Sequence, residues 1–478
     1  MNFTAPAFTP AVPEMFIFGM TCFILLVDVF AGPRRRAVAY WLSLATLVGA
    51  VWITAVLPHA PRLTFDGMFV NDAMARALKL FTYVITAAIF IYSRGYLEAR
   101  DQFKGEFYVL GLFGMLGIMV LCSSHSLLTL YIGLELLSLC QYALVALDRD
   151  SSVSAEAAMK YFVLGAIASG ILLYGMSILY GITGTLDLGQ LAVFVAGSGL
   201  THIGLVFALG FIVVALAFKF GAVPFHMWLP DVYEGARTPV TLYVGSIPKI
   251  GAFVMFMRLL ADGLGGLHPS WEQMLIAISV LSMAVGSVLA IAQTNIKRML
   301  AYSTISHVGF ILLGILAGTR TGYIAAMFYT LTYVLMATAA FGMVILLSRR
   351  GFEADNIADF KGLNERSPWF AAMMLAAMFG MTGAPPFIGF FAKLYVIRAV
   401  LDIHLVWLAV VAVLFAVISA FYYLRVVKYM YFDRADDKSP LAAGWDIKWV
   451  LSGNGLAILV LGIFPAPLMA LCVRAIGF

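Results

Sequence analysis

Charged residues are scarce in this sequence, and their scarcity excludes a water-soluble fold. Only 12% of the 478 residues are Asp, Glu, Lys or Arg, whereas 63% are hydrophobic. A soluble domain carries about 25% charged residues, roughly twice the fraction found here. The mean hydropathy of +0.97 leads to the same conclusion. The composition therefore predicts an integral membrane protein.

Cysteine is rare as well, which argues against a metal centre. The four cysteines, Cys22, Cys122, Cys140 and Cys472, lie far apart in or beside apolar runs. None belongs to the closely spaced pair that is typical of zinc sites and iron–sulfur clusters. The sequence also lacks the glycine-rich patterns that bind phosphate or dinucleotides. We therefore expect no cofactor and no metal in this chain, and we expect its energy source to lie in other chains.

Long apolar runs fill most of the sequence and predict an all-α polytopic membrane protein. A helix needs about 20 mostly apolar residues to cross the hydrocarbon, and by this criterion about 14 spanning helices are predicted. They lie near residues 12–30, 37–57, 72–93, 106–124, 126–147, 155–182, 203–231, 237–261, 271–292, 296–317, 321–348, 369–401, 403–431 and 447–473. Two of them, 203–231 and 369–401, are longer than a crossing requires and contain Gly and Pro in their middle.

Lysine and arginine concentrate in alternate loops, which predicts the orientation of the chain. About 19 of them fall in the loop set that begins with Arg34, Arg35 and Arg36, and about 3 fall in the opposite set. Because basic loops stay in the cytoplasm, both termini are predicted to lie outside. The net charge of +5 follows from this bias, so it gives no reason to expect a nucleic-acid partner.

Four charged residues lie too deep in the predicted helices to reach water easily. They are Lys219, Lys249, Lys393 and, in "LYIGLELLSLCQ", Glu135. A charge at the bilayer centre costs about 2.5–3.5 kcal/mol, so these side chains are expected to face the bundle interior. Ionisable groups at that depth mark proton or ion pathways, which is the interpretation that we favour. The alternative is a buried Glu–Lys tie that only fixes helix packing.

Other charges inside the spans have a simpler explanation. Arg76 and Lys79 lie near the start of a predicted helix, where long side chains can extend toward the interface. Several charged residues also have an opposite charge four residues away, on the same helix face. These pairs are Asp72 with Arg76, Glu156 with Lys160, Arg258 with Asp262 and Arg398 with Asp402. We expect these residues to pair or to anchor the helices.

Two histidines lie near the middle of predicted spans. His226 follows the Gly/Pro interruption of its segment, and His307 lies in "STISHVGF". Histidine titrates near neutral pH and can pass a proton through either ring nitrogen. Each residue is either a proton relay or a satisfied buried hydrogen-bonding group, and the sequence leaves both possibilities open.

The two interrupted segments share the pattern G-A-x-P-F. The first contains Gly221 and Pro224, and the second contains Gly383, Pro385 and Pro386. The segments are about five spans apart, so they are predicted to cross in opposite directions, as in inverted repeats. A lysine precedes the first break and follows the second, so both lysines are expected on the outer side of their breaks. Broken backbone at this depth is tolerated only against protein or a water-filled cavity, so we expect water beside each lysine.

Two longer segments resemble a known family. "FKFGAVPFHMWLPDVYEGARTPVT" (218–241) and "NIKRMLAYSTISHVGF" (295–310) are similar to signature segments of the antiporter-like membrane subunits of respiratory complex I. The similarity extends from the helix of Glu135 to that of Lys393. Arg237 departs from the pattern, because a proline is usual there. The resemblance implies two inverted five-helix repeats, each with a discontinuous helix. We divide the chain into an N-terminal three-helix segment (1–105), a first repeat (106–262), a second repeat (263–432) and a C-terminal helix (433–478).

The resemblance also implies a site and a function. Glu135 and Lys219 would form a coupled pair, Lys249 would be a connecting lysine, and Lys393 would lie in a second half-channel. The chain would be a proton-translocating subunit of NADH:quinone oxidoreductase in a bacterial inner membrane, with both termini periplasmic. Quinone reduction elsewhere would drive it, with FMN, iron–sulfur clusters and quinone in partner subunits. Its partners would be the other membrane-arm subunits and the lipid bilayer.

Two other functions stay open at this point. The first is a subunit of a multi-chain sodium/proton antiporter, for which sodium-linked pH regulation would be the signature. The second is a membrane scaffold that transports nothing, in which the buried charges only hold helices together. Co-purification with NADH:quinone reductase activity distinguishes the oxidoreductase from the antiporter. Charge-preserving exchanges at Lys219 and Glu135 distinguish a scaffold from a transporter.

Overall fold

Apolar helices account for most of the chain. A computed structural model describes residues 7–31, 37–58, 62–198, 203–435, 441 and 444–477. Within these residues the first helices are α1 (Val12–Ala31), α2 (Ala37–Val56), α3 (Ala73–Ala99), α4 (Gly105–Ser123), α5 (Leu127–Val145), α6 (Ser152–Thr183) and α7 (Leu188–Ser198). They are followed by α8 (Ile203–Phe220), α9 (Trp228–Gly235), α10 (Thr238–Gly245), α11 (Pro248–Phe256), α12 (His268–Ile291), α13 (Ile296–Leu316) and α14 (Arg320–Leu347). The last are α15 (Leu363–Arg366), α16 (Pro368–Thr382), α17 (Ile388–Asp402), α18 (Val406–Tyr431), α19 (Trp445–Ile463) and α20 (Ala466–Ala475).

Short elements of other types extend or connect these helices. A π-helix, Met257–Gly263, continues α11, and 3₁₀ turns occur at Thr9–Ala11, Gly265–Leu267 and Ile357–Phe360. Strands β1 (Arg62–Thr64) and β2 (Phe69–Asn71) form an antiparallel hairpin with Leu63 opposite Val70. The sequence pattern predicts no strand here, because three residues are too few for a recognisable alternation.

The membrane-spanning helices agree with the sequence prediction in number and place. In the described part of the chain, 13 helices are long and apolar enough to cross a membrane. The remaining predicted span, 369–401, is made of α16 and α17, and each of these has only 15 residues. Neither helix reaches the length of about 20 residues that a crossing needs, so the two cross as a pair. The predicted last span, 447–473, is in fact two helices, α19 and α20.

The predicted orientation concerns loops that the structure describes only in part. Arg34, Arg35 and Arg36, which begin the basic loop set, lie outside the described residues, and so does Lys438. The periplasmic position of the termini therefore stays a prediction from the distribution of basic residues.

Three spans form the centre of the bundle. In the span Thr238–Gly263, which contains α10 and α11, every residue of the most apolar stretch is buried. In α13 and α14 nearly all residues of that stretch are buried. In contrast, only 28–33% of the residues are buried in the most apolar stretches of α1, α6, α18 and α19, as expected for helices that face lipid. The ionisable residues Lys249 and His307 lie on the central helices, α11 and α13.

The helix that carries Glu135 packs closely against its neighbour. A Cβ atom at Gly117 of α4 would lie 2.6 Å from the backbone nitrogen of Leu137 of α5. A Cβ atom at Gly133 of α5 would in turn lie 3.0 Å from the backbone nitrogen of Leu121. Small residues allow such close backbone contact between membrane helices. This contact fixes α5, and with it the position of the polar face that carries Glu135.

The two predicted helix breaks are present and have the same backbone geometry. α8 ends at Phe220 and α16 ends at Thr382, and each is followed by a glycine with positive φ, 82° at Gly221 and 84° at Gly383. The amide of the next alanine reaches back five residues in both cases, from Ala222 to the carbonyl of Ala217 and from the alanine after Gly383 to that of Phe379. A glycine is favoured here because the left-handed conformation is strained for other residues. Each break also contains a cis X–Pro bond, Val223–Pro224 and Pro385–Pro386.

Candidate functional site

Lys219 is held by two neutral groups on α5. Its Nζ donates hydrogen bonds to Ser138 Oγ at 2.9 Å and to Gln141 Oε1 at 3.0 Å. The side chain is buried, with 8% of the residue exposed. Lys219 is the penultimate residue of α8, so the break that follows leaves its ammonium facing α5. The lysine therefore points into the protein and away from lipid.

Glu135 lies near Lys219 but does not contact it. Both residues are described, and no ion pair within 4.0 Å joins them, although their charges are close enough to interact. Glu135 Oε1 is buried and has no hydrogen-bond partner in the described structure. Glu135 and Lys219 thus lie near each other without an ion pair, and their coupling stays a prediction.

Lys249 fills the first helix break. Its Nζ donates to the carbonyl oxygen of Phe220 at 2.9 Å, which is the last carbonyl of α8. The ammonium also lies 5.6 Å from the centroid of the Trp228 ring, at the start of α9. On the opposite side of the break, the amide of Val223 donates to Ser282 Oγ at 2.9 Å. The polar backbone that the break releases is therefore satisfied by side chains.

Lys393 fills the second break in the same way. Its Nζ donates to the carbonyl oxygen of Thr382 at 2.7 Å, which is the last carbonyl of α16. The ammonium lies 5.0 Å from the centroid of the Phe310 ring. The sequence pattern pairs Lys393 with Lys219, because each is next to a break. By contact, however, the counterpart of Lys393 is Lys249, since both donate to the carbonyl that precedes the left-handed glycine.

His307 is the centre of a buried tyrosine network. Its Nδ1 shares a hydrogen bond with Tyr329 Oη at 2.8 Å, and its Nε2 shares one with Tyr423 Oη at 2.9 Å. Tyr423 also contacts the Ser303 hydroxyl. The charge of Lys393 is close enough to act on His307. His307 is thus a satisfied buried hydrogen-bonding group that lies near a lysine, and its role as a proton relay stays a prediction.

Polar groups also lie between the two halves of the site. Thr304 Oγ1 and Tyr333 Oη share a hydrogen bond at 2.7 Å, and Tyr333 Oη donates to the carbonyl of Gly245 at 3.3 Å. Gly245 ends α10, one residue before the short link to α11. In the described residues no hydrogen bond joins Lys249 to His307, and of this chain of hydroxyls Tyr333 has its ring centroid 5.2 Å from that of His307.

His226 lies within the first break and is half-buried. Its Nδ1 is buried and has no hydrogen-bond partner in the part of the chain that the structure describes. The neighbouring Met227 is largely exposed, so the break reaches the protein surface at this point. His226 therefore lies beside the protein surface, next to an exposed residue.

Of the four expected charge pairs, two are present and two are not. No ion pair within 4.0 Å joins Arg398 to Asp402, although both residues are described. Lys160 pairs with Glu156 at 2.9 Å, and Arg258 pairs with Asp262 at 3.0 Å, as the four-residue spacing predicts. The pairing of Asp72 with Arg76 is wrong. Asp72 caps α3 through the amide of Ala75 and pairs with Arg258 at 2.7 Å, while Arg76 donates to the carbonyls of Leu57 and Pro58. A carboxylate at a helix N-cap faces the first-turn amides, which turns it away from the residue four positions later.

Lys79 also differs from expectation. It is almost completely buried and forms an ion pair with Glu14 of α1, so it does not extend to the interface. Sequence spacing does not predict this pair, because Glu14 and Lys79 lie on different helices, α1 and α3.

Residues 124–419 match the sequence model of a known family, described as "NADH:quinone oxidoreductase/Mrp antiporter, TM". This region is more than half of the chain. The chain belongs to this family. The matched residues include Glu135, Lys219, Lys249 and Lys393, together with His226 and His307.

Relatives of the NADH:quinone oxidoreductase/Mrp antiporter family cover the whole chain. NADH-quinone oxidoreductase subunit N of Thioalkalivibrio sulfidiphilus is 59% identical over 481 residues and covers 100% of both chains. The protein of the same name from Thiobacillus denitrificans is 57% identical, covering 98% of each chain. Among solved structures, a chain of respiratory complex I from Thermus thermophilus, determined with bound aureothin, has a TM-score of 0.83 and 28% identity. That match covers 96% of this chain and 98% of the other.

Several contacts of the candidate site in this chain are not evident in the sequence. Ser138, Gln141 and the tyrosines around His307 are uncharged, so the cost of burying a charge, which identifies the lysines, does not single them out. One signal was present. Ser138 and Gln141 follow Glu135 at intervals of three residues, which places them near one face of α5. Within the residues that the structure describes, no group of three or more His, Cys, Asp or Glu side chains is arranged to hold a metal ion.

Proposed function

We propose that this chain is subunit N of a bacterial NADH-quinone oxidoreductase and that it moves protons across the inner membrane. The observation that supports this function best is that three buried lysines have no carboxylate partner among the described residues, unlike the buried Lys79 and Lys297, which are ion-paired. Lys219, Lys249 and Lys393 all donate to neutral oxygens, and none has a carboxylate within ion-pair distance in the described structure. This set occurs in a chain that is 59% identical to a protein named NADH-quinone oxidoreductase subunit N.

Neutral acceptors make these lysines suitable for proton transfer. An opposite charge favours the protonated form of a lysine, whereas burial without such a charge disfavours it. A lysine that donates to a hydroxyl, an amide or a carbonyl can therefore exchange its proton at a smaller cost than one in a tight ion pair. A permanently ion-paired lysine would instead serve to hold helices together.

We assign the proton path to the residues in order through the protein. Glu135 controls Lys219, and the proton then passes by water and His226 to Lys249 at the first break. From there the hydroxyls of Tyr333 and Thr304 lead toward His307, which lies close to Lys393 at the second break. A neighbouring subunit would start each transfer by changing the charge near Glu135.

We also propose that the chain is built from two inverted repeats. The matching backbone of the two breaks supports this division, because each has the same left-handed glycine and the same amide that reaches back five residues. The proposed units are the N-terminal segment 1–105, the repeats 106–262 and 263–432, and the C-terminal segment 433–478. In this arrangement both termini face the periplasm, as the distribution of basic residues predicts.

The redox chemistry belongs to other subunits in this proposal. FMN, iron–sulfur clusters and quinone would lie in those subunits, and quinone reduction would supply the energy. The chain would contact the other membrane-arm subunits and the lipid bilayer, and it would take part in electron transport only as part of the whole enzyme.

The nearest alternative is a subunit of a multi-chain sodium/proton antiporter, because the family description includes Mrp antiporters. Affinity purification of the tagged full-length chain from its own membranes distinguishes the two functions. We expect NADH:quinone reductase activity that is sensitive to quinone-site inhibitors to co-purify with the chain. Purification of an assembly without this activity, together with sodium-dependent pH sensitivity of a deletion strain, would support the antiporter instead.

A further inference from the structure

Lys219 rests on a pair of acceptors that are themselves held in place. Ser138 Oγ donates its own proton to the carbonyl of Leu134 at 2.7 Å, so only its lone pairs are left for Lys219. Gln141 Oε1 accepts from Lys219 and also from Tyr161 Oη at 3.0 Å. Two donors therefore converge on this oxygen, which fixes the orientation of the amide.

The tyrosine that holds Gln141 is fixed to the helix break. The ring of Tyr161, on α6, stacks on that of Trp228 with 4.4 Å between centroids and an angle of 9° between the planes. Trp228 Nε1 donates to the carbonyl of Phe218 at 3.0 Å, and Lys249 lies over the same indole. The position of Gln141 is thus connected, through two aromatic rings, to the geometry of the first break.

Glu135 offers Lys219 a second position on the same helix. It lies three residues before Ser138, which corresponds to a rise of about 4.5 Å along α5. Its Oε1 is buried and has no hydrogen-bond partner, so the described structure leaves an acceptor without a donor close to Lys219. The flexible four-carbon stem of lysine can cover such a distance by rotation of its side chain.

We propose that Ser138 and Gln141 are positioning residues that give Lys219 a resting place away from Glu135. This inference rests on the proposed proton path. When Lys219 contacts Glu135 the charge of the carboxylate stabilises the ammonium, and when it contacts the neutral pair that stabilisation is lost. Movement of one side chain between the two positions then decides when the proton is released, without movement of a helix.

The whole complex, reconstituted in liposomes, provides the test. The quantity measured is the number of protons moved per NADH oxidised, as a function of pH, because this ratio cancels the pH dependence of the redox reaction. In the double variant Ser138→Ala/Gln141→Met only Glu135 is left as an acceptor. We therefore expect the midpoint of the proton ratio to move to higher pH by about one unit. In Glu135→Gln only the neutral pair is left, and the midpoint is expected to move to lower pH.

Matched controls separate positioning from a structural role. Ser93, a buried serine on α3, bonds the carbonyl of Ile89 four residues earlier, as Ser138 bonds Leu134, but it contacts no lysine. Ser93→Ala is expected to leave the midpoint unchanged, and Ser138→Thr, which keeps the hydroxyl, is expected to restore it. If the double variant does not assemble, Gln141→Glu tests the inference instead. Its added carboxylate at the resting place of Lys219 is expected to raise the midpoint of the proton ratio above that of the wild type.

An unchanged midpoint in Ser138→Ala/Gln141→Met and in Gln141→Glu would overturn the inference, as would a shift in the same direction as that of Glu135→Gln. The proposed function is tested separately by Lys219→Ala. Loss of pumping in Lys219→Ala with no midpoint shift in the Ser138 and Gln141 variants refutes only the positioning role. Normal pumping in Lys219→Ala refutes the proton path itself.

Discussion

Lys249 binds the carbonyl of Phe220, at 2.9 Å, where α8 is broken by Gly221. Lys393 has the same relationship to Thr382 at the second break. A carbonyl released from a helix in the membrane must find a partner, because no water is available in hydrocarbon. The two lysines, from α11 and α17, supply that partner, and each thereby keeps its ammonium at the end of another helix where a backbone carbonyl is released. The break and the charge stabilise each other.

Replacement of Lys249 by methionine should affect both pumping and stability. The Phe220 carbonyl would lose its donor, and an unsatisfied buried acceptor costs about 1–3 kcal/mol. We expect Lys249→Met to lose most proton pumping and to lower the melting temperature of the purified complex, whereas Lys249→Arg keeps the donor and the stability. Thermal unfolding and NADH-driven proton uptake measure the two effects. Equal stability in the Met and Arg variants would contradict the role of the Phe220 contact.

Gly221, which directly follows α8, should not tolerate a side chain, whereas Gly210 within α8 should. The φ of 82° at Gly221 is in the left-handed region, which costs an L-residue about 1–2 kcal/mol. Gly210 of α8 has ordinary helical backbone and open space around its Cβ position. We expect Gly221→Ala to reduce assembly and pumping severalfold, and Gly210→Ala to leave both unchanged. Quantification of assembled complex and of proton uptake checks this, and similar behaviour of the two variants would be the contrary result.

The tyrosines around His307 should matter through their hydroxyls. Tyr423→Phe removes the group that joins His307 to Ser303 but keeps the ring. We expect proton pumping to fall by about two- to tenfold, since loss of a hydrogen bond costs about 0.5–1.5 kcal/mol, while NADH oxidation by an uncoupled complex is kept. Tyr174→Phe, on the lipid-facing surface, is the control. If Tyr423→Phe pumps as well as this control, the network does not carry protons.

How far the sequence predicts this site depends on the kind of residue. Lys219, Lys249 and Lys393 could be recognised because a charge in an apolar run has few acceptable locations. The breaks at Gly221 and Gly383 could be recognised because Gly and Pro interrupt a helix in a known way. These features follow from local physical rules, so no neighbouring helix needs to be known.

The contacts of the site could not be predicted, because they cross between helices. The sequence places Lys219 next to Glu135, but in the structure Lys219 contacts Ser138 and Gln141. An uncharged polar residue in an apolar helix is common, and which of them meets a lysine depends on packing. The hairpin formed by β1 and β2 was missed for a different reason, since its strands are too short to show a pattern.

The buried ion pair of Glu14 and Lys79 should be structural. It joins α1 to α3 outside the region that matches the family model, and both side chains are buried. Removal of one partner of a buried pair costs about 3–5 kcal/mol, whereas replacement of both by apolar groups is often neutral. We expect Glu14→Leu to destabilise the assembled complex, and Glu14→Leu/Lys79→Met to regain most of the stability, with normal pumping in the double variant. Loss of pumping in a stable double variant would instead make the pair part of the proton path.

The most direct test of the account is NADH-driven proton uptake by vesicles that contain the complex with Lys219→Ala. Lys104, which is exposed before α4, provides the matched lysine control as Lys104→Ala. We predict that Lys219→Ala assembles and transfers electrons to quinone but moves markedly fewer protons per NADH, whereas Lys104→Ala behaves as the wild type. An unchanged ratio of protons to NADH in an assembled Lys219→Ala complex would contradict the proton path through this chain.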